Sequence, residues 1–110
     1  CQQPEGYWTR SLLDPEHAPG PETSGTAFFT YGLLWGMNNG FLDKATYQPV
    51  VEKAWKYLTT VALQPDGRIG YVQPIGEKAI PGQVVDANST ANFGVGAFLL
   101  AACEMVRFLD

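Results

Sequence analysis

The sequence has few charged residues and no excess of basic ones. Seven Lys and Arg stand against eleven Asp and Glu in 110 residues, which gives a formal net charge of −4. This is the wrong sign for sequence-independent binding to phosphate backbones, so we expect no nucleic-acid partner. Apolar residues make up 45% of the chain and charged residues 16%, a composition that indicates one globular domain rather than a disordered segment.

Motifs for metal binding and nucleophilic catalysis are also lacking. One histidine and two distant cysteines offer no zinc-ligand spacing. The sequence contains no CxxC pair, no phosphate-binding loop and no GxSxG turn. We therefore expect no metal site and no cofactor. Cys103 falls in an apolar segment, where we expect an inert, buried thiol rather than a redox group.

The sequence has no uninterrupted hydrophobic run of membrane-spanning length. Asn38 and Asn39 end the first long apolar run and Glu104 interrupts the last, so neither reaches about 18 to 20 residues and we expect no membrane insertion. The chain opens on Cys1 without a start methionine or a signal-peptide pattern. We expect it to begin inside a longer protein, and its residues indicate no cellular compartment.

The hydrophobic pattern predicts three helices. The segments at about 23–38 and 90–109 are apolar or small on every side, which predicts two helices that are buried all round. The segment at about 46–63 has apolar residues at helical spacing and Glu52, Lys53 and Lys56 on the other side. This pattern predicts a half-exposed helix that tolerates Pro49 in its first turn.

An internal repeat relates the two halves of the chain. Gln-Pro-Glu-Gly at 3–6 recurs as Gln-Pro-Asp-Gly at 64–67, and the pattern Thr-Ala-x-Phe-x-x-Gly at 26–32 recurs at 90–96. The repeating unit is a long loop, a buried helix, a short turn and a half-exposed helix. Alternation of buried and half-exposed helices is typical of two concentric rings, so we predict an all-α fold of the α/α toroid type.

Polar residues cluster before the first and third predicted helices. Because helix N-termini carry unpaired N–H groups and a partial positive charge, two interpretations stay open. In the first, a hydroxyl from each cluster caps its helix. In the second, the hydroxyls cap while the carboxylates face a polar ligand in a shared crater. The cluster residues are Glu22, Thr23 and Ser24 before the first helix and Asp86, Asn88, Ser89 and Thr90 before the third.

Aromatic and basic residues in the loops favour the crater, since flat rings and charge-assisted donors suit an acidic sugar. Trp8 equally fits a hydrophobic plug that holds its loop on the barrel, and His17 fits a solvated surface position. The loop residues concerned are Tyr7, Trp8, Arg10, His17, Arg68, Tyr71 and Lys78.

Four segments in order carry a family resemblance: "EGYWTRSLLD", "ETSGTAFFTYGLLWGMNNGFLD", "LQPDGRIGYV" and "FGVGAFLLAACEM". Together they resemble the C-terminal part of unsaturated rhamnogalacturonyl hydrolases, glycoside hydrolase families 88 and 105. The resemblance covers nearly the whole chain and is weakest at 74–87. It implies that residues 1–110 are the C-terminal fragment of an (α/α)6 toroid, a partial toroid of alternating inner and outer helices.

The resemblance also implies a reaction. Members of these families remove the 4,5-unsaturated uronic acid from pectin-derived (rhamnogalacturonan) oligosaccharides by hydrating its vinyl ether. An aspartic acid protonates C4, water adds at C5, and the hemiketal collapses to release the neighbouring sugar. That aspartate belongs to the N-terminal half, so the resemblance implies no catalytic residue here and a chain that is inactive alone. The substrate-side residues that it implies are Trp8, Arg10, Glu22, Thr23, Ser24 and Asp86.

A second function stays open, namely a non-catalytic helical assembly or carbohydrate-binding module that needs a partner chain. Helices from an incomplete ring leave apolar surface, which the N-terminal half that this chain lacks or self-association would cover. Another toroid enzyme, such as a sugar epimerase or a lanthionine cyclase, predicts a histidine-rich or zinc-binding crater. The single histidine argues against that alternative.

Overall fold

The computed structural model describes residues 1–76, 80 and 82–110, and within them the chain forms three α-helices. Helix α1 spans Thr23–Asn38, α2 spans Lys44–Tyr57, and α3 spans Asn92–Leu109. A π-helical segment, Leu58–Ala62, continues α2. Strand pairing in the described residues is limited to an isolated antiparallel bridge between Leu63 and Ile69. The predicted all-α class is confirmed.

Helix α2 begins two residues earlier than the sequence predicts. The Asp43 carboxylate caps it by accepting hydrogen bonds from the backbone N–H of Thr46 at 3.0 Å and from the Thr46 hydroxyl at 2.7 Å. With the helix starting at Lys44, Pro49 lies in the second turn and not in the first. The helix therefore tolerates a proline at a position where its ring removes an intrahelical donor.

Helices α1 and α3 run parallel and begin at the same end of the molecule. Near their starts, Ala27 and Ala97 belong to one buried cluster. Near their ends, the side-chain amide of Asn38 donates to the Glu104 carbonyl oxygen at 3.0 Å and to the Glu104 carboxylate at 3.2 Å. The contacts advance in the same direction along both helices, so the two predicted polar clusters lie at one pole.

Helix α2 runs in the opposite direction to both. Tyr47, near its start, and Val51, at its middle, pack in a cluster with Leu34, Met37 and Met105, towards the ends of α1 and α3. Its last residue, Tyr57, packs in the other cluster, near the starts of those helices. The arrangement is a helical hairpin of α1 and α2 with α3 laid beside α1.

The outer side of α2 is exposed, as the sequence predicts. Glu52, Lys53 and Lys56 are exposed, whereas Val51 and Ala54 are fully buried. This pattern confirms the prediction of a half-exposed helix for the α2 segment. Its apolar side faces the two core clusters, where it packs against α1 and α3.

Helices α1 and α3 are buried on one face only, although their sequences are apolar all round. Phe28 and Trp35 on α1 are 48% and 43% exposed, and Leu99 on α3 is 57% exposed. The prediction of helices buried on every side is therefore wrong for this chain. The physical reason is that 110 residues supply neighbours for one face of each helix and leave the other apolar face uncovered.

Among the described residues, α3 is long and apolar enough to cross a membrane by length and composition. Its mean hydropathy is 1.4 over 18 residues, of which 28% are buried. A core helix of a globular protein passes the same test. Glu104, within this window, is only 7% exposed and accepts hydrogen bonds from the Asn38 side chain, so one face of α3 packs against α1.

The internal repeat produces the same tight turn twice. The backbone N–H of Gly6 donates to the Gln3 carbonyl at 2.9 Å, and that of Gly67 donates to the Gln64 carbonyl at 2.9 Å. Both glycines have positive φ, 102° and 90°. A β-carbon on Gly6 would overlap the Lys53 carbonyl, so glycine lets the first turn pack directly against the backbone of α2.

Candidate functional site

The backbone of Trp8 fixes the first loop to the start of α1. Its N–H donates to the Thr26 hydroxyl at 3.0 Å, and its carbonyl accepts from the backbone N–H of Glu22 at 3.2 Å. The indole meets the Phe29 ring edge-on, with the centroids 5.1 Å apart. Half-buried Trp8 therefore holds the loop on α1 and also lines the cleft described below.

Glu22 is the N-cap of α1 and is almost completely buried, with 3% exposure. Its carboxylate accepts from the backbone N–H of Ser24 at 3.2 Å, of Gly25 at 2.7 Å and of Gln73 at 2.9 Å. The Ser24 hydroxyl donates to the same carboxylate at 2.8 Å. Capping by a Thr23 or Ser24 hydroxyl, the first interpretation above, is therefore wrong for α1. Both residues lie inside the helix, and the longer Glu22 side chain reaches the first-turn N–H groups.

Thr23 is fully buried and its hydroxyl is engaged inside the protein. It donates to the Gly70 carbonyl at 2.6 Å and lies 2.7 Å from the Tyr57 hydroxyl, which must then be the donor of that second bond. Burial, partly opposed by the Thr23 hydrogen bond, raises the pKa of Tyr57 well above its ordinary range. A neutral Tyr57 thus ties the end of α2 to the start of α1.

Arg10 connects the first loop to the second. One terminal nitrogen of its guanidinium donates to the Gln83 side-chain oxygen at 3.0 Å and to the Ile80 carbonyl at 3.4 Å. The other donates to the Gln83 carbonyl at 3.3 Å. Among the described residues no carboxylate forms an ion pair with Arg10. Its positive charge is held in place by neutral oxygens.

Trp8, Arg10 and Glu22 line one cleft at the start of α1, together with Gln73. The cleft has a volume of about 140 Å³. Typical ligand sites have about 300–1,000 Å³, so this cleft by itself accommodates a small group such as a carboxylate. Sequence reasoning missed Gln73, because its contact with Glu22 joins segments that are far apart in the chain.

Asp86 lies outside this cleft. Its side chain is exposed and accepts from the backbone N–H of Asn88 at 2.9 Å, which closes a local turn. The Ser89 hydroxyl accepts from the Asp86 N–H at 3.0 Å. Helix α3 begins after Ala91 without a side-chain cap. Capping of α3 by Ser89 or Thr90 is therefore wrong, because Ser89 is used in the preceding turn.

Tyr71 links the two polar clusters through its backbone. Its carbonyl accepts from the Thr23 N–H at 2.8 Å, and its own N–H donates to the Asp86 carbonyl at 2.8 Å. Its φ of +61° is left-handed, a conformation that costs a non-glycine residue on the order of 1–3 kcal/mol. The two hydrogen bonds hold Tyr71 in this conformation and join the start of α1 to the loop before α3.

Other polar residues named from the sequence lie elsewhere. His17 is exposed, and Arg68 pairs with Asp66 at 2.8 Å on the surface. Lys78 lies outside the described residues. Cys103 is exposed on α3, so the expectation of a buried thiol is wrong. Within the part of the chain that the structure describes, no group of three or more His, Cys, Asp or Glu side chains is arranged to hold a metal ion.

Comparison with known proteins identifies relatives over nearly the whole chain. The model of Glycosyl Hydrolase Family 88 matches residues 1–109. A curated relative from Formosa agariphila, named unsaturated 3S-rhamnoglycuronyl hydrolase, is 46% identical over 106 residues, which is 96% of this chain and 27% of the relative. The chain thus spans about a quarter of that relative's length.

Two solved structures match the fold closely. One, described as a glycosyl hydrolase family 88 protein from Bacteroides vulgatus, is 79% identical with a TM-score of 0.92. The match covers 98% of this chain and 31% of the Bacteroides vulgatus chain. The other, described as a polysaccharide lyase, is 89% identical with a TM-score of 0.92, over 99% of this chain and 31% of its own. The three helices therefore correspond to under a third of each larger protein.

Proposed function

The chain belongs to glycosyl hydrolase family 88, and we propose that it forms the C-terminal part of a hydrolase that removes a 4,5-unsaturated uronic acid from pectin-derived rhamnogalacturonan oligosaccharides. The single observation in this chain that carries the proposal is the cleft at the start of α1. It brings a fixed guanidinium, on Arg10, and an aromatic ring, on Trp8, to one mouth. These are the groups that recognise an acidic sugar.

The proposed architecture is a partial (α/α)6 toroid. Helices α1 and α3 would be inner helices and α2 an outer one. Three features support this. Helices α1 and α3 run parallel, α2 runs in the opposite direction, and α1 and α3 each have an exposed apolar face. In this arrangement the long loops and the starts of both inner helices surround the substrate mouth.

Each residue of the proposed site has a distinct role. Arg10 binds the carboxylate of the uronic acid, and Trp8 packs against the sugar ring. Glu22 positions both by holding the start of α1 and the backbone of Gln73. Thr23 and Ser24 act in support, through Tyr57 and Glu22 respectively. Asp86 acts from outside the cleft, where its carbonyl holds Tyr71.

The proposed reaction is hydration of the vinyl ether. A carboxylic acid protonates C4 of the unsaturated sugar, water adds at C5, and the hemiketal collapses with release of the neighbouring sugar. We assign the proton donor to the part of the family fold that this chain does not span. The small volume of the cleft supports this division, since it takes the carboxylate of the sugar and leaves the other walls to the rest of the enzyme.

A pair of proteins tests the proposal. The first is the 110-residue chain. The second, called the chimera, is the Bacteroides vulgatus protein with its matched part replaced by this chain. Each is incubated with an unsaturated rhamnogalacturonan disaccharide while the absorbance of the double bond is followed. We expect loss of absorbance with the chimera and none with the chain alone. Turnover by the chain alone, or none by the chimera, would overturn the proposal.

The name of one relative favours a second candidate function, that of a polysaccharide lyase. A lyase cleaves an intact uronic acid polymer by elimination and so creates a double bond, whereas the proposed hydrolase consumes one. The same chimera is therefore offered intact rhamnogalacturonan. A rise in absorbance would favour the lyase, and no rise together with loss of signal from the disaccharide would favour the hydrolase.

The exposed apolar faces of α1 and α3 favour the alternative of a non-catalytic module that needs a partner chain. In that case the chimera would bind the unsaturated disaccharide, as measured by calorimetry, without changing its absorbance. The curated relative is named for a 3S-rhamnoglycuronyl substrate, so an unsaturated rhamnoglycuronyl disaccharide is the second ligand to test.

A further inference from the structure

Five glycines lie within α1 and α3, and at two of them, Gly32 and Gly96, an added β-carbon would meet no other described residue. A β-carbon on Gly25, in the first turn of α1, would lie 3.3 Å from the Glu22 carboxylate. A β-carbon on Gly36 would lie 2.6 Å from the Leu42 side chain, and one on Gly94 would lie 2.5 Å from Val72. These two are explained by close packing within the chain. A β-carbon on Gly32 or on Gly96 would meet no atom of residues 1–76, 80 or 82–110 within 4 Å.

Glycine weakens a helix interior because it gains backbone freedom when the helix unfolds. At Gly36 and Gly94, close packing against a neighbour offsets this loss of helix stability. No described residue packs in the same way against Gly32 or Gly96. The internal repeat places Gly32 and Gly96 at equivalent positions, seventh in the segments 26–32 and 90–96. The same unexplained residue therefore occurs once in each of the two parallel helices.

Both glycines lie in apolar, exposed rows at helical spacing. We call the row Phe28, Gly32 and Trp35 the α1 stripe, and the row Gly96, Leu99, Cys103 and Val106 the α3 stripe. The α1 stripe borders an open groove of about 440 Å³ that Trp8 and Leu12 also line. Neither stripe contains a charged residue, so each suits an apolar neighbour whose backbone comes close at the glycine.

The solved relatives indicate what that neighbour is. This chain matches 31% of the Bacteroides vulgatus protein with a TM-score of 0.92, so the same helices fold within a chain about three times as long. We propose that Gly32 and Gly96 are the points at which helices from the rest of the family 88 fold contact the backbones of α1 and α3. The proposal rests on the family membership and not on the substrate proposed above.

Melting temperature in two contexts tests the proposal. In the chimera, Gly32→Leu and Gly96→Leu should each lower the melting temperature by about 5 °C or more, because an added side chain would overlap a packed helix. The matched control Lys53→Leu, on the exposed side of α2, should change it by about 1 °C or less. In the 110-residue chain, Gly32→Ala should raise the melting temperature by about 4 °C, because alanine is the better helix former and nothing obstructs it.

The expected result is a lower melting temperature with leucine in the chimera and a higher one with alanine in the 110-residue chain. Three outcomes would overturn the proposal. The first is a chimera that tolerates leucine at both glycines as well as at Lys53. The second is a Gly32→Leu chimera whose melting temperature is unchanged without ligand but no longer rises when the unsaturated disaccharide is added. That result would place Gly32 against substrate. The third is a dimer of the 110-residue chain that Gly32→Leu dissociates while the chimera is unaffected, which would identify a second copy as the neighbour.

These readouts need no turnover. If the 110-residue chain alone does not melt cooperatively, the comparison of glycine and Lys53 variants in the chimera decides the question. A chimera that responds as expected at both glycines but leaves the disaccharide unchanged would count against the proposed function and not against the helix contacts.

Discussion

The backbone N–H of Gln73 donates a 2.9 Å hydrogen bond to the Glu22 carboxylate, although 51 residues separate the two. The same carboxylate caps α1 through the N–H groups of Ser24 and Gly25. One buried side chain therefore closes a helix end and fixes the second loop to it. The wall of the candidate cleft depends on this contact.

Removing the Glu22 carboxylate should destabilise the chain more than loss of an ordinary cap. Glu22→Ala leaves the N–H groups of Gly25 and Gln73 without their acceptor, at an expected cost of about 1–3 kcal/mol in the free energy of unfolding. Urea denaturation measures the effect. The matched control is Asp43→Ala, which removes an exposed local cap on Thr46 and should cost about 0.5–1 kcal/mol. Equal costs would contradict the tertiary role of Glu22.

The bond between Asn38 and Glu104 should hold the far ends of α1 and α3 together. Asn38→Ala removes the amide that binds the buried Glu104 and should lower the free energy of unfolding by about 1–2 kcal/mol. The neighbouring variant Asn39→Ala is the control, because the Asn39 side chain donates an exposed hydrogen bond to the Trp35 carbonyl within its own helix end. If the two variants unfolded at the same urea concentration, the contact would be of no consequence.

Burial of Tyr57 should make stability fall at alkaline pH. The pKa of Tyr57 is raised in the folded state above its ordinary value of about 10, so the folded chain keeps this proton longer than the unfolded chain does. The resulting stability is fully present below pH of about 10 and is lost as the pH rises above that value. Tyr57→Phe should flatten this decline in urea denaturation between about pH 8 and 11. A decline as steep in Tyr57→Phe as in the parent chain would contradict this role of Tyr57.

Arg10 should affect substrate affinity more than turnover. In the chimera, Arg10→Lys keeps the charge but loses the planar fork, and we expect KM to rise about tenfold with a smaller change in kcat. Arg68→Lys is the control, because Arg68 pairs with Asp66 on the surface and does not line the cleft. If the KM of Arg10→Lys were as low as that of the control, Arg10 would not be a substrate-binding residue. The melting temperature of the variant shows whether its bonds to Gln83 matter for folding.

The helices could be read from the sequence, but the roles of the polar residues around them could not. A continuous run of apolar and small residues identifies the α1 segment, and hydrophobic spacing identifies the exposed side of α2, because both are properties of a single segment. The choice of Glu22 over Thr23 or Ser24 as the cap depends on how far each side chain reaches in the folded chain. Gln73 belongs to the site through its backbone N–H, a group that every residue except proline has. The residue type at position 73 therefore gives no indication of this contact.

The helical class of this protein, its two helices that are apolar on every side and the polar clusters before both can be read from residue order, because each is a property of a single segment. Packing between the helices determines which apolar face is covered and which stays exposed, as the face that carries Cys103 does. A helix without a polar side has no preferred face of its own, so its neighbours determine the outcome. In 110 residues α1 and α3 have neighbours on one side, and that one-sided packing leaves Gly32 and Gly96 uncovered.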